Sequence, residues 1–362
     1  MTPPHALLIE PTASHTFILY SQCVMLLEAG YEVTVIMSER QSDPVFMESL
    51  RDRINRVWLD KHLRYRMLLR LLREHGRKPY AFTLFNTFTP STRLLLLALV
   101  WPQPLRFILH HAKPVAEARA LLNRFQRLVY QLIMRRASRI YVLSPQVYAH
   151  CQNELPPWIV RKLSCFVPSY YPDYANTAAK PTPTDDDRVV FALPGAVDFR
   201  VRNYQSLTDA LPRLAASPLA DRIQIEIMGD FFTPTSRTFI VTAARAGLLG
   251  TTIRLQREPF APFPDFAHKY NASHFLLPLI DSTVMNYRPY NRFVSPSSIM
   301  MSRGFALPLV CSREFDLDND LRPFSVWYEG QDLFQGLEAA VELADSPRYA
   351  ELQQQYRQHN QH

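Results

Sequence analysis

Glycine is scarce in this sequence, with nine residues in 362 against 29 prolines. They spell neither a GxGxxG run nor a GxxxxGK[ST] loop, which excludes the glycine-rich dinucleotide fingerprint and the P-loop. Turns must be built from Pro, Ser, Asn and Asp instead. Cysteine is sparse too. The four, Cys23, Cys151, Cys165 and Cys311, include no CxxC pair, and no Cys/His spacing suggests zinc. That usage fits a reducing compartment. The N-terminal MTPPHALLIEPT lacks the basic start and long apolar core of a signal peptide, so a cytoplasmic location is expected. The longest apolar run, Leu94 to Trp101, falls far short of the roughly 20 residues that cross a bilayer as a helix.

What is present is core material. Apolar residues make up 47% and charged residues 20%, enough for two domains rather than one. The net charge of +7 is unevenly placed: residues 51–78 hold ten Lys/Arg against three acids, and residues 119–139 hold six Arg and no acid. Both segments interleave Leu, Met, Val and Ile with Arg. Such basic amphipathic helices suit an anionic membrane surface; an ordinary covering helix with solvated arginines reads the same way. The charge would also suit nucleic acid, but no recognised binding fold or stacking array accompanies it, and no nucleic-acid partner is expected.

Periodicity alternates between strand and helix. Residues 6–10 and 31–37 are β-rich, and the helical spacing from Phe17 to Ala29 between them stops at Gly30, a natural C-terminal cap. Further strands are expected at 80–85, 105–109 and 139–143. From 168 to 187 the chain is rich in Pro, Thr and Asp without periodicity and reads as a linker. Alternation then restarts, with strands at 188–193, 222–228, 252–255, 274–279 and 307–311, helices between them, and one last helix over about 331–358. Two parallel α/β halves follow, each able to bind ligand at the carboxyl ends of its strands.

Three segments of the second half carry chemistry. Leu193-Pro-Gly-Ala-Val-Asp-Phe-Arg-Val-Arg ends a strand at Gly195 and places Arg200 and Arg202 at a helix start, where a cation is unfavourable unless an anion joins it. Residues 253–281 run strand, loop, helix, strand, with Arg257, Glu258 and Pro259 in the loop. Ser295, Ser297 and Ser298 open a helix whose N–H groups and hydroxyls suit phosphate. In the first half, His15 lies between the first strand and helix, and His110 and His111 follow the strand 105–109. An imidazole near its ordinary pKa suits proton transfer, although a capping histidine, or one bonded to a backbone carbonyl, would look the same.

In this order the three segments resemble the C-terminal domain of GT-B-fold glycosyltransferases of the group 1, family 4-like type. The resemblance implies two Rossmann-like domains with parallel sheets facing a central cleft: an acceptor domain at 1–170, a linker at 171–187, a donor domain at 188–340, and a closing helix at 341–362 packing back on the first domain. It implies a hexosyltransferase that takes a nucleotide-diphosphate sugar such as a UDP-sugar and a glycan or lipid-linked acceptor, as in polysaccharide biosynthesis. Peripheral attachment to the inner membrane face through segments 51–78 and 119–139 would follow. Gly195, Arg200, Arg202, Arg257, Glu258, Ser295, Ser297 and Ser298 would bind donor, and His15, His110 and His111 would serve catalysis, without cofactor or metal. Asp316-Leu-Asp318-Asn-Asp320 resembles a metal-binding Asp-x-Asp only superficially, since it follows Ser-Arg-Glu-Phe in an expected surface loop. One departure leaves the stereochemical outcome open: retaining relatives carry two glutamates eight positions apart, and here the second position falls near Met301. A scaffold subunit that kept the fold, or a nucleotide-sugar epimerase, are the alternatives.

Overall fold

The computed structural model describes residues 2–10, 15–38, 47–59, 65–87, 100–112, 121–175, 187–233, 235–256, 263–284, 292–315 and 317–360. The chain divides into two compact units. The first is Met1–Tyr171 with Arg292–Ser295, and the second is Pro172–Asn291 with Pro296–His362.

The first unit is a seven-stranded parallel sheet of β1 (His5–Glu10), β2 (Glu32–Ser38), β3 (Asn55–Leu59), β4 (Phe82–Phe85), β5 (Leu105–Ile108), β6 (Ala137–Val142) and β7 (Leu163–Cys165), in the spatial order β3-β2-β1-β4-β5-β6-β7. Strand order reverses between β1 and β4. Ala6, Leu7, Leu8 and Ile9 of β1 are all buried, as expected for a central parallel strand covered on both faces. Each contributes on the order of 1.5–3 kcal/mol of apolar burial if Leu or Ile. Helix α1 (Thr16–Glu28) ends where the sequence asks it to: Gly30 takes φ +81°, its N–H reaches Leu27 O, and the Tyr31 N–H reaches Leu26 O. That is the glycine-capped Schellman arrangement. Helices α2 (Tyr65–His75), α3 (Leu121–Arg136), α4 (Pro145–Glu154) and α5 (Pro157–Val160) complete the described helices of this unit.

The second unit has β8 (Val189–Pro194), β9 (Ile223–Met228), β10 (Ile253–Leu255), β11 (Phe275–Leu276), β12 (Leu309–Ser312) and β13 (Ser325–Tyr328), again all parallel, in the order β10-β9-β8-β11-β12-β13. Its switch point lies between β8 and β11. Its helices are α6 (Tyr204–Ala215), α7 (Leu219–Arg222), α8 (Ser236–Arg245), α9 (Phe263–Ala272), α10 (Ser297–Phe305), α11 (Leu333–Ala344) and α12 (Arg348–Asn360).

Sequence and structure differ in two places. β3, β7 and β13 are edge or penultimate strands of three to five residues, too short to carry a period. The expected single helix over 331–358 is two, because Asp345-Ser346-Pro347 interrupts it and proline cannot continue the hydrogen-bond ladder. The last helix, α12, makes these contacts within the second unit: Tyr356 bonds Ser302 of α10 and stacks on Phe324 at 4.6 Å, and Asn360 donates to Arg303 O.

Candidate functional site

In the first unit the carboxyl ends of β1, β4 and β5 gather a polar cluster. The β1/β4 register sets Ile9 opposite Phe85, so Glu10 and Asn86 emerge side by side. The Glu10 carboxylate is fully buried and accepts hydrogen bonds from Asn86 Nδ2 and, at 2.6 Å, from Thr87 Oγ1. With Asn86 turned this way, its Oδ1 accepts from Gln22 Nε2 at 2.8 Å. Its backbone oxygen accepts from His110 Nε2 at 2.6 Å. The His110 N–H is therefore on Nε2, and Nδ1 carries the lone pair. His15, at the N-cap of α1, makes no capping hydrogen bond; its ring stacks on that of His110 at 3.9 Å and 18°.

Burial lowers the pKa of His15 to about 4. It lowers that of His110 to about 3, helped by the repulsion of a charged His15 and opposed by the Asn86 carbonyl. Both imidazoles are neutral at physiological pH. The stacked pair offers hydrogen-bonding nitrogens rather than a positive charge. His111, next in sequence, is exposed.

In the second unit the β8/β9 register pairs Pro194 with Met228, which brings Gly195 beside Gly229. A Cβ on Gly229 would lie 2.2 Å from Gly195 O, so two backbones meet here with no room for a side chain. Gly195 takes φ +90°, and a Cβ on it would sit 2.7 Å from the guanidinium of Arg202. Arg202 is 8% exposed and donates to Pro278 O at 2.6 Å, bridging the ends of β8 and β11 across the switch point. Among the described residues no carboxylate pairs with it. Arg200 differs: it is 67% exposed and its guanidinium clasps Asp198 at 2.6 Å, with Nε and the backbone N–H bonding the same carboxylate. Those hydrogen bonds from Arg200 hold the Asp198 carboxyl below its usual range.

Beneath Arg202, Asn203 caps α6 by accepting from Ser206 N at 3.0 Å and donates to the buried Asp281, which also accepts from Thr283. Leu279 is forced to φ +50°, and its carbonyl accepts from Asn203 N at 2.7 Å. A non-glycine residue held there costs of the order of 1–3 kcal/mol, and such strain concentrates at ligand sites. Helix α10 begins without a side-chain cap and without an acid in its first turn. Ser298 on that turn is fully buried, and its hydroxyl has no partner among the described residues.

Of the sequence candidates, His15 and His110 come together in the first unit, and Gly195 and Arg202 in the second. Ser297 and Ser298 open α10, with Ser297 exposed, whereas Ser295 belongs to the segment grouped with the first unit, where Phe293 O accepts from Ala112 N. Arg257 and Glu258 lie outside the described residues, as do Pro259 and Asp316. Asp318 and Asp320 pair with the buried Arg303 at 3.1 and 2.8 Å, which makes them partners of a guanidinium. Among the described residues no group of His, Cys, Asp or Glu is arranged to hold a metal ion, and no helix is long and apolar enough to cross a membrane. Glu10, Gln22, Asn86, Gly229 and Asp281 escaped the sequence reading.

No protein-family model and no curated protein matches the sequence. Solved structures do match. A glycosyltransferase from Rickettsia africae ESF-5 shares 10% identity, covering 99% of this chain and 94% of its own, at a TM-score of 0.67. Anabaena Alr3699/HepE in complex with UDP shares 13%, covering 98% and 94%, at 0.63. A UDP-N-acetylglucosamine 2-epimerase shares 14%, covering 98% and 91%, at 0.58. The chain therefore has the GT-B fold, two Rossmann-like α/β units in succession.

Proposed function

We propose that the chain is a glycosyltransferase that moves a sugar from a nucleoside-diphosphate donor to a glycan or lipid-linked glycan. The observation that carries this reading is Arg202. A guanidinium buried at a sheet's switch point, held by one carbonyl and lacking a counter-anion among the described residues, is costly unless a ligand supplies the negative charge. A departing diphosphate gains charge in the transition state, and Arg202 and the uncapped start of α10, with the free Ser298 hydroxyl, would stabilise it there without a metal ion. Arg200 is already neutralised by Asp198, so it contributes less. The neighbour solved with UDP favours a uridine nucleotide.

On the first unit, neutral His15 and His110 would orient an acceptor hydroxyl or a donor-sugar hydroxyl by hydrogen bonds. Burial leaves His15 too weak a base to take a proton unaided at neutral pH, so its part is positioning, with proton loss following departure of the diphosphate. His111, Arg257, Glu258, Ser295 and Ser297 stay as secondary contacts of the same proposal. Helices α2 and α3 expose Leu69 and Leu128 beside Arg70, Arg73 and Arg124, chemistry suited to an anionic membrane face in the cytoplasm.

One observation favours a second reading. Glu10 is a buried carboxylate beside the histidines, and nucleotide-sugar epimerisation needs groups that move a proton at carbon. Incubation with a panel of UDP- and GDP-sugars, with and without a glycolipid extract, separates the two by mass spectrometry. Transfer predicts nucleoside diphosphate released only when acceptor is present. A new isomer of the donor formed without acceptor would replace transferase with epimerase.

A further inference from the structure

In the second unit, the loop after β9 holds an aromatic ring out to solvent beside the Gly195 loop. β9 ends at Met228, the backbone of Gly229 lies against that of Gly195, and the chain then turns through Asp230, Phe231 and Phe232. Phe232 is 70% exposed, the most of any large apolar side chain among the described residues. Lone exposed apolar residues are common on protein surfaces. This one is held where it is. Its N–H donates to Asp230 Oδ1 at 2.8 Å, an Asx turn that fixes the backbone carrying the ring. Phe231 packs against the core of the second unit, and its ring backs that of Phe232 at 4.4 Å and 31°.

The same loop is stitched to the one that carries Gly195. Val197 N–H donates to Asp230 O at 2.8 Å, and Thr233 Oγ1 donates to Val197 O. Ser236, which opens α8, donates to Thr233 O at 2.7 Å, so the far end of the loop is fixed as well. Strand order sets what lies to either side. In β10-β9-β8-β11 neighbouring strands are about 4.8 Å apart, so the strand that carries the ring is the next one over from Gly195. Arg202 bridges β8 to β11, on one side of β8, and Phe232 follows β9 on the other. Phe315 after β12 and Tyr328 at the end of β13 are buried and offer no open face.

We propose that Phe232 stacks on the base of the nucleoside diphosphate whose charge Arg202 takes. This rests on the nucleotide reading above and extends it from the phosphates to the nucleoside. Every base has a π-face, so the contact adds affinity without choosing among bases. A ring backed on one face and open on the other is already arranged to receive a base, and little ordering is left for binding to supply.

Calorimetric titration of the full chain with UDP, GDP, ADP and TDP finds the tightest of the four, and pyrophosphate affinity is read by its displacement. Phe232→Ala should weaken that nucleotide about tenfold and leave pyrophosphate, which has the charge and no base, unchanged. Phe232→Trp should keep the wild-type affinity. Phe232→Leu, apolar but without a flat ring, should behave as the alanine variant does. Because the ring is mostly exposed, thermal melting should be the same in all of them. Binding of none of the four by the wild type would overturn the nucleotide reading and this proposal with it. Wild-type affinity in Phe232→Ala, or an equal loss for pyrophosphate, would overturn this proposal alone. So would unchanged UDP affinity with weakened UDP-glucose, which would put the sugar rather than the base on the ring.

Discussion

Gly195 and Arg202 define each other. The glycine is required twice over, by its φ of +90° and by the guanidinium that a Cβ would strike at 2.7 Å. Gly30 shares the positive φ but has open space around it, so it isolates the first cost from the second. Gly30→Ala should cost about 1 kcal/mol of stability. Gly195→Ala should cost about 2–3 kcal/mol by displacing Arg202 as well. Urea denaturation measures both, and equal losses would mean that Arg202 yields freely. The histidines give a pH signature at the same scale. Their native pKa values are depressed from 6.5 to about 4 and about 3, so below pH 6.5 the unfolded chain binds protons that the native chain refuses. Stability is full above that pH and declines as pH falls toward 4. His15→Gln should flatten the decline by up to about 1.4 kcal/mol per pH unit; an unchanged slope would show that His15 is protonated freely in the native protein.

Among the elements, α12 is fixed to the second unit by a charge cluster. Arg303 of α10 is 7% exposed and bridges Asp318 and Asp320, and Asp320 also meets His359 of α12 at 3.2 Å. Burial alone would lower the Arg303 pKa and raise that of Asp320, but their mutual hydrogen bonds win in both directions. Arg303→Met would remove the buried cation that Asp318 and Asp320 share and should cost about 3–5 kcal/mol, read as a lowered denaturation midpoint; no loss would mean that the two carboxylates do not depend on the guanidinium. Elements of this kind were partly legible in the sequence. The strand–Pro-Gly–basic pattern announced β8, Gly195 and Arg202 because those residues are local. Glu10 and Asn86 are 76 residues apart and meet only through the β1/β4 register, which no periodicity reports. Asp318 and Asp320 looked like a surface loop because their partner Arg303 lies a helix away. The break at Pro347 was legible in its residues, yet the apolar spacing on either side of it reads as continuous.

At the scale of the molecule, two parallel sheets follow one another, and each collects its polar residues at its own switch point, as strand order dictates. In the second unit the collected groups form a buried cation and free donors, which call for an anion. In the first unit they form a satisfied carboxylate network and two neutral imidazoles, which call for hydroxyls. The likeness to solved structures rests on arrangement, at 10–14% identity, so the choice of chemistry falls to these side chains. Calorimetric titration with UDP, GDP, ADP and TDP, repeated on Arg200→Ala and Arg202→Ala, probes the central claim most directly. At least one diphosphate should bind, Arg202→Ala should weaken it at least about tenfold, or about 1.4 kcal/mol, and Arg200→Ala should have the smaller effect. Binding of none of the four to the wild type, or full affinity in Arg202→Ala, would contradict it.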